Sequence, residues 1–511
     1  MSYSPKAFTL CFMTLAIIHS RASLGIDAPP VTIEVHLSLG MPSLSIVGLP
    51  ETAIKESKDR VRSALINSGF EFPSRRIVIN LAPADLPKKE GGRFDLPIAL
   101  GILAASEQIP LESISPYEFA GELALDGKLR PFSGALPFAL ATKKEKRILI
   151  LPEKNAFEAA LTREIKILAA EHLLDICAHL TGAKIIEPYE PQLLTSEPTF
   201  ELDLADVCGQ EHAKRALEIA AAGGHSLFMI GPPGTGKTML ANRLITILPE
   251  MTEDEALEVA AINSICGKKI NTNFWRVRSF SAPHHTASSI ALVGGSSPPR
   301  PGEISLAHNG VLFLDELPEF NRSVLEALRE PLESGYVTIS RAAHQAKFPA
   351  KFQLVVAMNP CPCGHRGDNR VVCRCTQDQV QRYQARISGP FLDRIDICVT
   401  VPPPPKNILM CEKSNCATSS EVRARVIRAR AAALARSEKI NAAFTNKDIE
   451  KFCKISIQDQ DFLRNAIEKL KLSARAYHRI IKTARTIADL DGADLIQTHH
   501  LREAVSYRKT L

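Results

Sequence analysis

The chain has no run of about 18 or more apolar residues, and so offers no candidate for a membrane-spanning helix. Cysteine is sparse, with 12 in 511 residues, which excludes a disulfide scaffold. Charge of one sign is also lacking. Lys and Arg number 62 against 56 Asp and Glu, a net of +6. That mild basic excess permits a nucleic-acid partner without demonstrating one, because clustering matters more than the sum. No repeat at solenoid spacing is present. With 45% hydrophobic and 23% charged residues, the composition excludes disorder as the main state and a fibrous chain. What remains is an ordinary globular protein, long enough for about three domains.

The first residues need separate treatment. Ala7 to Ile18 is apolar and follows Lys6, like the apolar part of a short signal peptide. The alternative is a first strand from Met13 to Ile18 with Met13 as the true start. The segment reads as the second, a first strand with Met13 as its start.

Two shifts in composition divide the chain. Residues 187–203 are rich in proline and acids, and residues 402–419 open on four prolines and continue polar, so both read as linkers. They bound an N-terminal segment at 13–186, a middle segment at 204–401 and a C-terminal segment at 420–511. The first mixes short apolar runs (Leu44–Val47, Ile77–Leu81, Ile148–Leu151) with helical stretches at Ile54–Asn67 and Leu96–Ser106, an α/β pattern. The last is helix-periodic almost throughout and predicts a bundle or lid.

The middle segment carries chemistry. Gly231, Pro232, Pro233, Gly234, Thr235, Gly236, Lys237 and Thr238 match G-x-x-x-x-G-K-[ST] in full. A strand at Ser226–Ile230 precedes the motif and a helix at Met239–Leu248 follows it. Glycines let the loop turn its N–H groups onto phosphate oxygens, and the helix N-terminus adds positive dipole. Lys237 would bind the β- and γ-phosphates and Thr238 would ligate Mg²⁺. About 80 residues later, Gly310-Val-Leu-Phe-Leu ends in Asp315 and Glu316. That is a buried parallel strand with two carboxylates at its C-terminal end, where such sheets bind ligands. Asp315 would hold the Mg²⁺ through water and Glu316 would polarise the attacking water. A further strand at Leu354–Met358 ends in Asn359, whose amide can hold that water. Arg394 lies beyond the next helix. It reads either as a cation for the γ-phosphate, typically worth about 10³–10⁵ in rate, or as the ion-pair partner of Asp393 or Asp396.

This order of parts resembles the AAA+ ATPases. The segments 283–320, 358–364 and 388–397 (PHHTASSIALVGGSSPPRPGEISLAHNGVLFLDELPEF, MNPCPCG and SGPFLDRIDI) go further and resemble the ComM/YifB family of bacterial magnesium-chelatase-like proteins, from about Met13 to the C-terminus. The resemblance implies a homo-hexameric ring with ATP sites between subunits, so that Arg394 would act on a neighbour's ATP. It implies that Arg475 is the lid arginine that senses the γ-phosphate, and that Gly209 and Gln210 belong to the region packed on adenine. The implied activity is ATP-driven, Mg²⁺-dependent translocation on single-stranded and branched DNA. It would drive branch migration and integrate incoming strands during natural transformation, alongside recombination proteins.

The N-terminal segment resembles the Lon-protease-like (ribosomal S5-type) fold at residues 88–106 and 121–141. Gly91-Gly-Arg-Phe-Asp95 holds no serine, and no lysine follows Ser133-Gly-Ala-Leu-Pro137 until Lys143. The protease nucleophile is missing, and peptidase activity is not expected. The segment would serve DNA contact or assembly.

Nine residues separate the pair Cys361 and Cys363 from the pair Cys373 and Cys375. Two C-x-C pairs can converge on a structural Zn²⁺ at about 2.3 Å, with His365 as a substitute ligand; the alternative is reduced, unligated thiols. Residues 334–352 read as a hairpin with arms at Val337–Ser340 and Phe352–Val356. Its turn would present Arg341, His344, Lys347 and Lys351 to DNA phosphates without reading bases. Arg423, Arg425, Arg428, Arg430 and Arg436 spread over more than one helical face and read as a solvated helix. His284 and His285 have no acidic neighbour in sequence and read as loop-positioning residues or partner contacts. Two other functions stay open: an ATPase that drives metal insertion into a porphyrin through a partner, and a protein-remodelling or regulatory ATPase.

Overall fold

A computed structural model describes residues 15–48, 52–84, 86, 91–191, 200–270, 274–296, 299–341, 344–368, 370–403, 416–470 and 472–508. Residues 192–199 of the first expected linker, residues 404–415 of the second, and Met13 itself lie outside the described residues. The first strand is Leu15–Arg21.

The N-terminal unit is built on a four-stranded sheet in the order Leu15–Arg21, Pro30–Ser38, Arg76–Ala82, Ser43–Val47. The first three strands are antiparallel, and the last runs parallel to Arg76–Ala82. Alternating burial along Pro30–Ser38 and Arg76–Ala82 gives each strand one packed face. The helix Asp95–Ala105 lies against that face and is buried at every position. Gly101 is required there, because a Cβ would stand 2.5 Å from Cγ2 of Val35. A three-stranded parallel sheet follows, Tyr117–Phe119, Ile148–Pro152 and Ile167–Ala170. Leu136, Leu161, Ala260 and Ala261 form a small shared core that joins this unit to the next.

The middle unit holds five parallel strands in the order Phe280–Ser281, Val311–Leu314, Gln353–Met358, Leu227–Ile230, Ile397–Thr400. The chain thus enters the sheet next to its edge. Its first strand ends up between the fourth and the fifth. The loop after the first strand therefore faces the end of the fourth, with the third one step further. Continuous burial along Val311–Leu314 and over Leu354–Met358 reflects cover on both faces.

The C-terminal helices bury their apolar stripes in the same core as the helices Glu211–Gly223 and Lys237–Ile247. Val422, Val426, Ala429 and Ala433 form the buried stripe of Ser419–Ser437. The arginines around that stripe are not solvated as expected. Arg430 donates to the carbonyl oxygens of Ala221 and Ala222, Arg425 pairs with Glu218 at 2.5 Å, and Arg436 pairs with Asp489 at 2.7 Å. Arg423 reaches Glu250 at 3.5 Å, and only Arg428 of the five stays exposed without such a tie among the described residues. Long arginine stems run beside the apolar stripe and place their heads on the neighbouring helix, which helical periodicity alone does not reveal.

The hairpin also departs from expectation. Its arms are Tyr336–Arg341 and His344–Pro349, paired from Tyr336 with Pro349 to Arg341 with His344. The stretch Phe352–Val356, read as the second arm, falls almost wholly within Gln353–Met358, a strand of the central sheet. The amide of Gln353 donates to the Gly310 carbonyl at 2.9 Å and fixes that strand to the sheet. Lys351 consequently sits at the hairpin's base, exposed, with its amide donating to Nδ1 of His308 at 3.0 Å. Val337, Ile339, Ala346 and Phe348 face inward and pack near Ile26 of the N-terminal unit, while Lys347 faces outward.

Candidate active site

The phosphate-binding motif forms the turn between Leu227–Ile230 and Lys237–Ile247. Gly234 and Gly236 take φ of +72° and +88°, which L side chains rarely adopt, and Gly236 caps the helix. Gly231 leaves no room for a side chain, since a Cβ there would meet the Val401 carbonyl oxygen at 2.2 Å. The Lys237 ammonium donates to the carbonyls of Gly231 (2.7 Å) and Pro232 (3.0 Å) and to Oδ1 of Asn359 (3.1 Å). Burial lowers its pKa, against the pull of Asp315 and Glu316. Lys237 and Asn359 meet because their strands are neighbours, with Ile230 opposite Met358.

On the next strand, Asp315 Oδ2 accepts from the Thr238 hydroxyl at 2.7 Å. A hydroxyl and a carboxylate so placed are hard oxygen ligands of the kind that would hold Mg²⁺. Glu316 has left-handed backbone (φ 52°) and an exposed side chain. Its carboxylate lies 3.3 Å from Nδ1 of His285, whose ring lies 4.1 Å from that of His284, tilted by 33°. The loop histidines thus have an acidic neighbour in space that the sequence did not disclose. Its only advance signal is the run Pro283-His-His-Thr itself.

Other expected residues lie apart from this cluster. Arg394 pairs with Glu333 and donates to the Pro390 carbonyl at 2.6 Å. Neither Asp393 nor Asp396 is its partner. Asp393 accepts from Ser473, whereas Asp396 faces His225 at 3.4 Å and pairs with Arg479. Burial works against ionisation of Asp396, but His225, Arg479 and Arg508 hold its carboxyl well below the usual range. Arg475 is exposed in the first turn of Ala474–Leu490, with no ion pair among the described residues. Gly209 and Gln210 take positive φ just before Glu211–Gly223, and the Gln210 amide donates to the Pro402 carbonyl at 2.6 Å. The side chain of Arg341 is not among those described.

The four cysteines do converge. Their sulfurs lie within 4.8 Å of one another. Those of Cys361, Cys363 and Cys373 are 3.4–3.7 Å apart. A tetrahedron with arms of about 2.3 Å has edges of about 3.8 Å, so the thiols fit a closed Zn²⁺ site. Backbone N–H groups of His365 and Arg374 hold the Cys363 thiol down to about 6, while burial pushes Cys361 up to about 12. His365 is no substitute ligand, since it faces Asp368 at 3.7 Å.

Three family models match in sequence: the magnesium chelatase subunit ChlI over residues 203–409, another ChlI model over 33–155 and the ChlI C-terminal model over 416–508. Competence protein ComM of Haemophilus influenzae is 53% identical over 97% of this chain and 98% of its own length. YifB of Salmonella typhimurium is 52% identical over 97% of each. The maternal DNA replication licensing factor mcm6 of Xenopus tropicalis is 20% identical over 40% of this chain and 25% of its own.

Proposed function

The chain belongs to the ComM/YifB family of magnesium-chelatase-like ATPases, and from that premise we propose that it is an ATP-dependent DNA motor. It would act in the cytoplasm as a homo-hexamer, promoting branch migration and integrating single-stranded DNA by homologous recombination during natural transformation. The observation that carries the ATPase is the meeting of Lys237, Thr238, Asp315 and Asn359 at one end of the parallel sheet. The competence name of a relative matched over nearly its whole length supports the DNA substrate.

The family implies ATP and Mg²⁺. Lys237 and the loop N–H groups would bind the phosphates. Thr238 and Asp315 would hold Mg²⁺, which would supply positive charge against the phosphates. Glu316 would accept a proton from the attacking water, and Asn359 would orient that water. Arg394 of a neighbour and Arg475 would stabilise charge on the γ-phosphate, with Gly209 and Gln210 beside the adenine. The four cysteines would hold a structural zinc. We assign residues 13–186 to a Lon-like unit without peptidase activity, 204–401 to the AAA+ core and 420–511 to the lid, with linkers between them.

One observation favours a second reading, a chelatase-type ATPase acting through a partner, because all three matching family models describe the chelatase subunit. ATP hydrolysis measured with and without single-stranded DNA separates the two, followed by an ATP-dependent branch-migration assay on a synthetic three- or four-way junction. Hydrolysis indifferent to DNA, with junctions left unmoved, would sink the motor reading.

A further inference from the structure

We infer that the four-cysteine knuckle is a zinc-dependent bracket on the nucleotide site, so that losing its metal weakens the grip on nucleoside triphosphate. The inference rests on the zinc reading above and adds a role that a merely structural zinc would not have.

The knuckle is continuous with the site. Asn359, which accepts from Lys237, is followed by Pro360 and then by Cys361, which is fully buried. The chain turns back at once, with the Gly364 amide donating to the Cys361 carbonyl at 2.9 Å. That turn lays Gly364 on the phosphate loop. A Cβ at Gly364 would stand 2.7 Å from Cδ of Pro233 and 3.9 Å from Cγ of Asn359. The contact therefore has no slack.

The other end of the knuckle reaches the opposite side of the site. Thr376, directly after Cys375, caps the helix Gln377–Gln384 with a reciprocal pair of hydrogen bonds to Gln379. Tyr383 of this helix is buried, and burial together with the charges of Glu319, Cys361 and Glu316 pushes its hydroxyl up to about 12. Arg386 donates to the Pro318 carbonyl at 3.3 Å and to Glu319 at 3.0 Å, in the turn that follows Glu316. The phosphate loop, Asn359 and the Glu316 turn are thus tied to one insert.

That insert has no core of its own. Its tip is exposed, with Val372 at 85% exposure, and only Cys361 and Gly364 are buried between Cys361 and Cys375 among the described residues. A segment this short needs a metal to hold its shape, and a closed zinc site supplies folding energy directly. Without the metal, Gly364 and the start of the helix are no longer held at fixed separation.

The test uses the full chain purified without chelator. Zinc is first measured by elemental analysis, then stripped with a zinc-selective chelator that is dialysed away. Affinity for a fluorescent ATP analogue is read before and after, in excess Mg²⁺. The expected result is one zinc per chain, affinity weakened about tenfold or more on stripping, and recovery with one equivalent of zinc. A pair of variants guards against general unfolding. Gly364→Ala and Gly367→Ala carry similar backbone strain, at φ of +83° and +81°, but a Cβ at Gly367 meets nothing within 4 Å. Gly364→Ala should keep its zinc and bind the analogue several-fold more weakly, while Gly367→Ala binds as the parent does. Protein that holds no zinc overturns the metal reading. Zinc present, with affinity indifferent to stripping and equal in the two variants, leaves the metal reading standing and overturns the bracket.

Discussion

Two glycine-containing turns in this chain lead into buried helices, and they treat charge in opposite ways. In the N-terminal unit, Gly91–Phe94 runs into Asp95–Ala105. Asp95 is fully buried, its carboxyl pushed up by burial, and accepts from Arg60 at 2.7 Å and from the Leu123 amide at 3.3 Å. Nearby, Arg21 and Glu118 form a buried pair joined by two hydrogen bonds, with Thr142 donating to the same carboxylate. In the middle unit, the turn into Lys237–Ile247 gives its lysine only carbonyl oxygens and one amide. Asp315 meets a hydroxyl, and Glu316 stays open to solvent beside a histidine. Charges buried against each other are costly to separate and serve architecture. Charges gathered at a sheet end with no counter-ion committed to them are available to a ligand.

The largest effects should come from disturbing the uncommitted cluster. Lys237→Ala removes the only cation in the loop and should abolish detectable binding of a fluorescent ATP analogue. Glu316→Gln should bind the analogue normally yet show no steady-state hydrolysis, because an amide cannot take the water's proton. Arg394→Ala should lower turnover by about 10³ or more although its own phosphate loop is intact. Mixing Arg394→Ala with Glu316→Gln subunits should recover activity that neither shows alone, in a concentration-dependent way. The active interface pairs the phosphate loop of the first with the arginine of the second. If mixed rings form on gel filtration and no activity returns, Arg394 is simply the partner of Glu333.

The committed pairs predict the reverse pattern. Glu118→Gln leaves Arg21 buried beside a neutral amide and should cost about 3–5 kcal/mol, read as a lowered urea midpoint. Nucleotide affinity of the folded variant should match that of the parent. A large loss of affinity at unchanged midpoint would break the division drawn between the two units.

The phosphate loop, Asp315-Glu316 and Asn359 were legible in sequence because each is a strand end followed by its own turn, all local. Their meeting was not local, yet it follows from any parallel sheet in which these strands are neighbours. What stayed hidden depends on contacts across long separations. Glu333 reaches Arg394 over 61 positions, and Arg430 reaches the Ala221 carbonyl over 209. The second hairpin arm was misplaced because residues 344–349 and 353–358 are both strand-like, divided by only Ala350, Lys351 and Phe352. The bond from Gln353 to Gly310 assigns the latter to the sheet, and no local pattern signals it. The four cysteines were legible as a group, but the close approach of Gly364, which lies between them, to Pro233 was not.

The smallest effect concerns another uncommitted charge. Lys347 faces outward on the hairpin, and its ammonium lies 3.3 Å from the ring centroid of Tyr336. No carboxylate pairs with it among the described residues. An exposed cation held over an aromatic face is committed to no anion, and the ring limits its freedom. If the hairpin follows DNA, Lys347→Ala should weaken binding to a similar degree for unrelated sequences, since phosphates carry no sequence information. The slope of log affinity against log salt should fall by about one, the share of a single phosphate contact. The measurement is fluorescence anisotropy of labelled single strands of two compositions across a salt series. Inward residues such as Phe348 pack in the core and do not enter this comparison. An unchanged slope would take Lys347 off the DNA path and leave the hairpin's outward face as a solvated surface with no part in the motor.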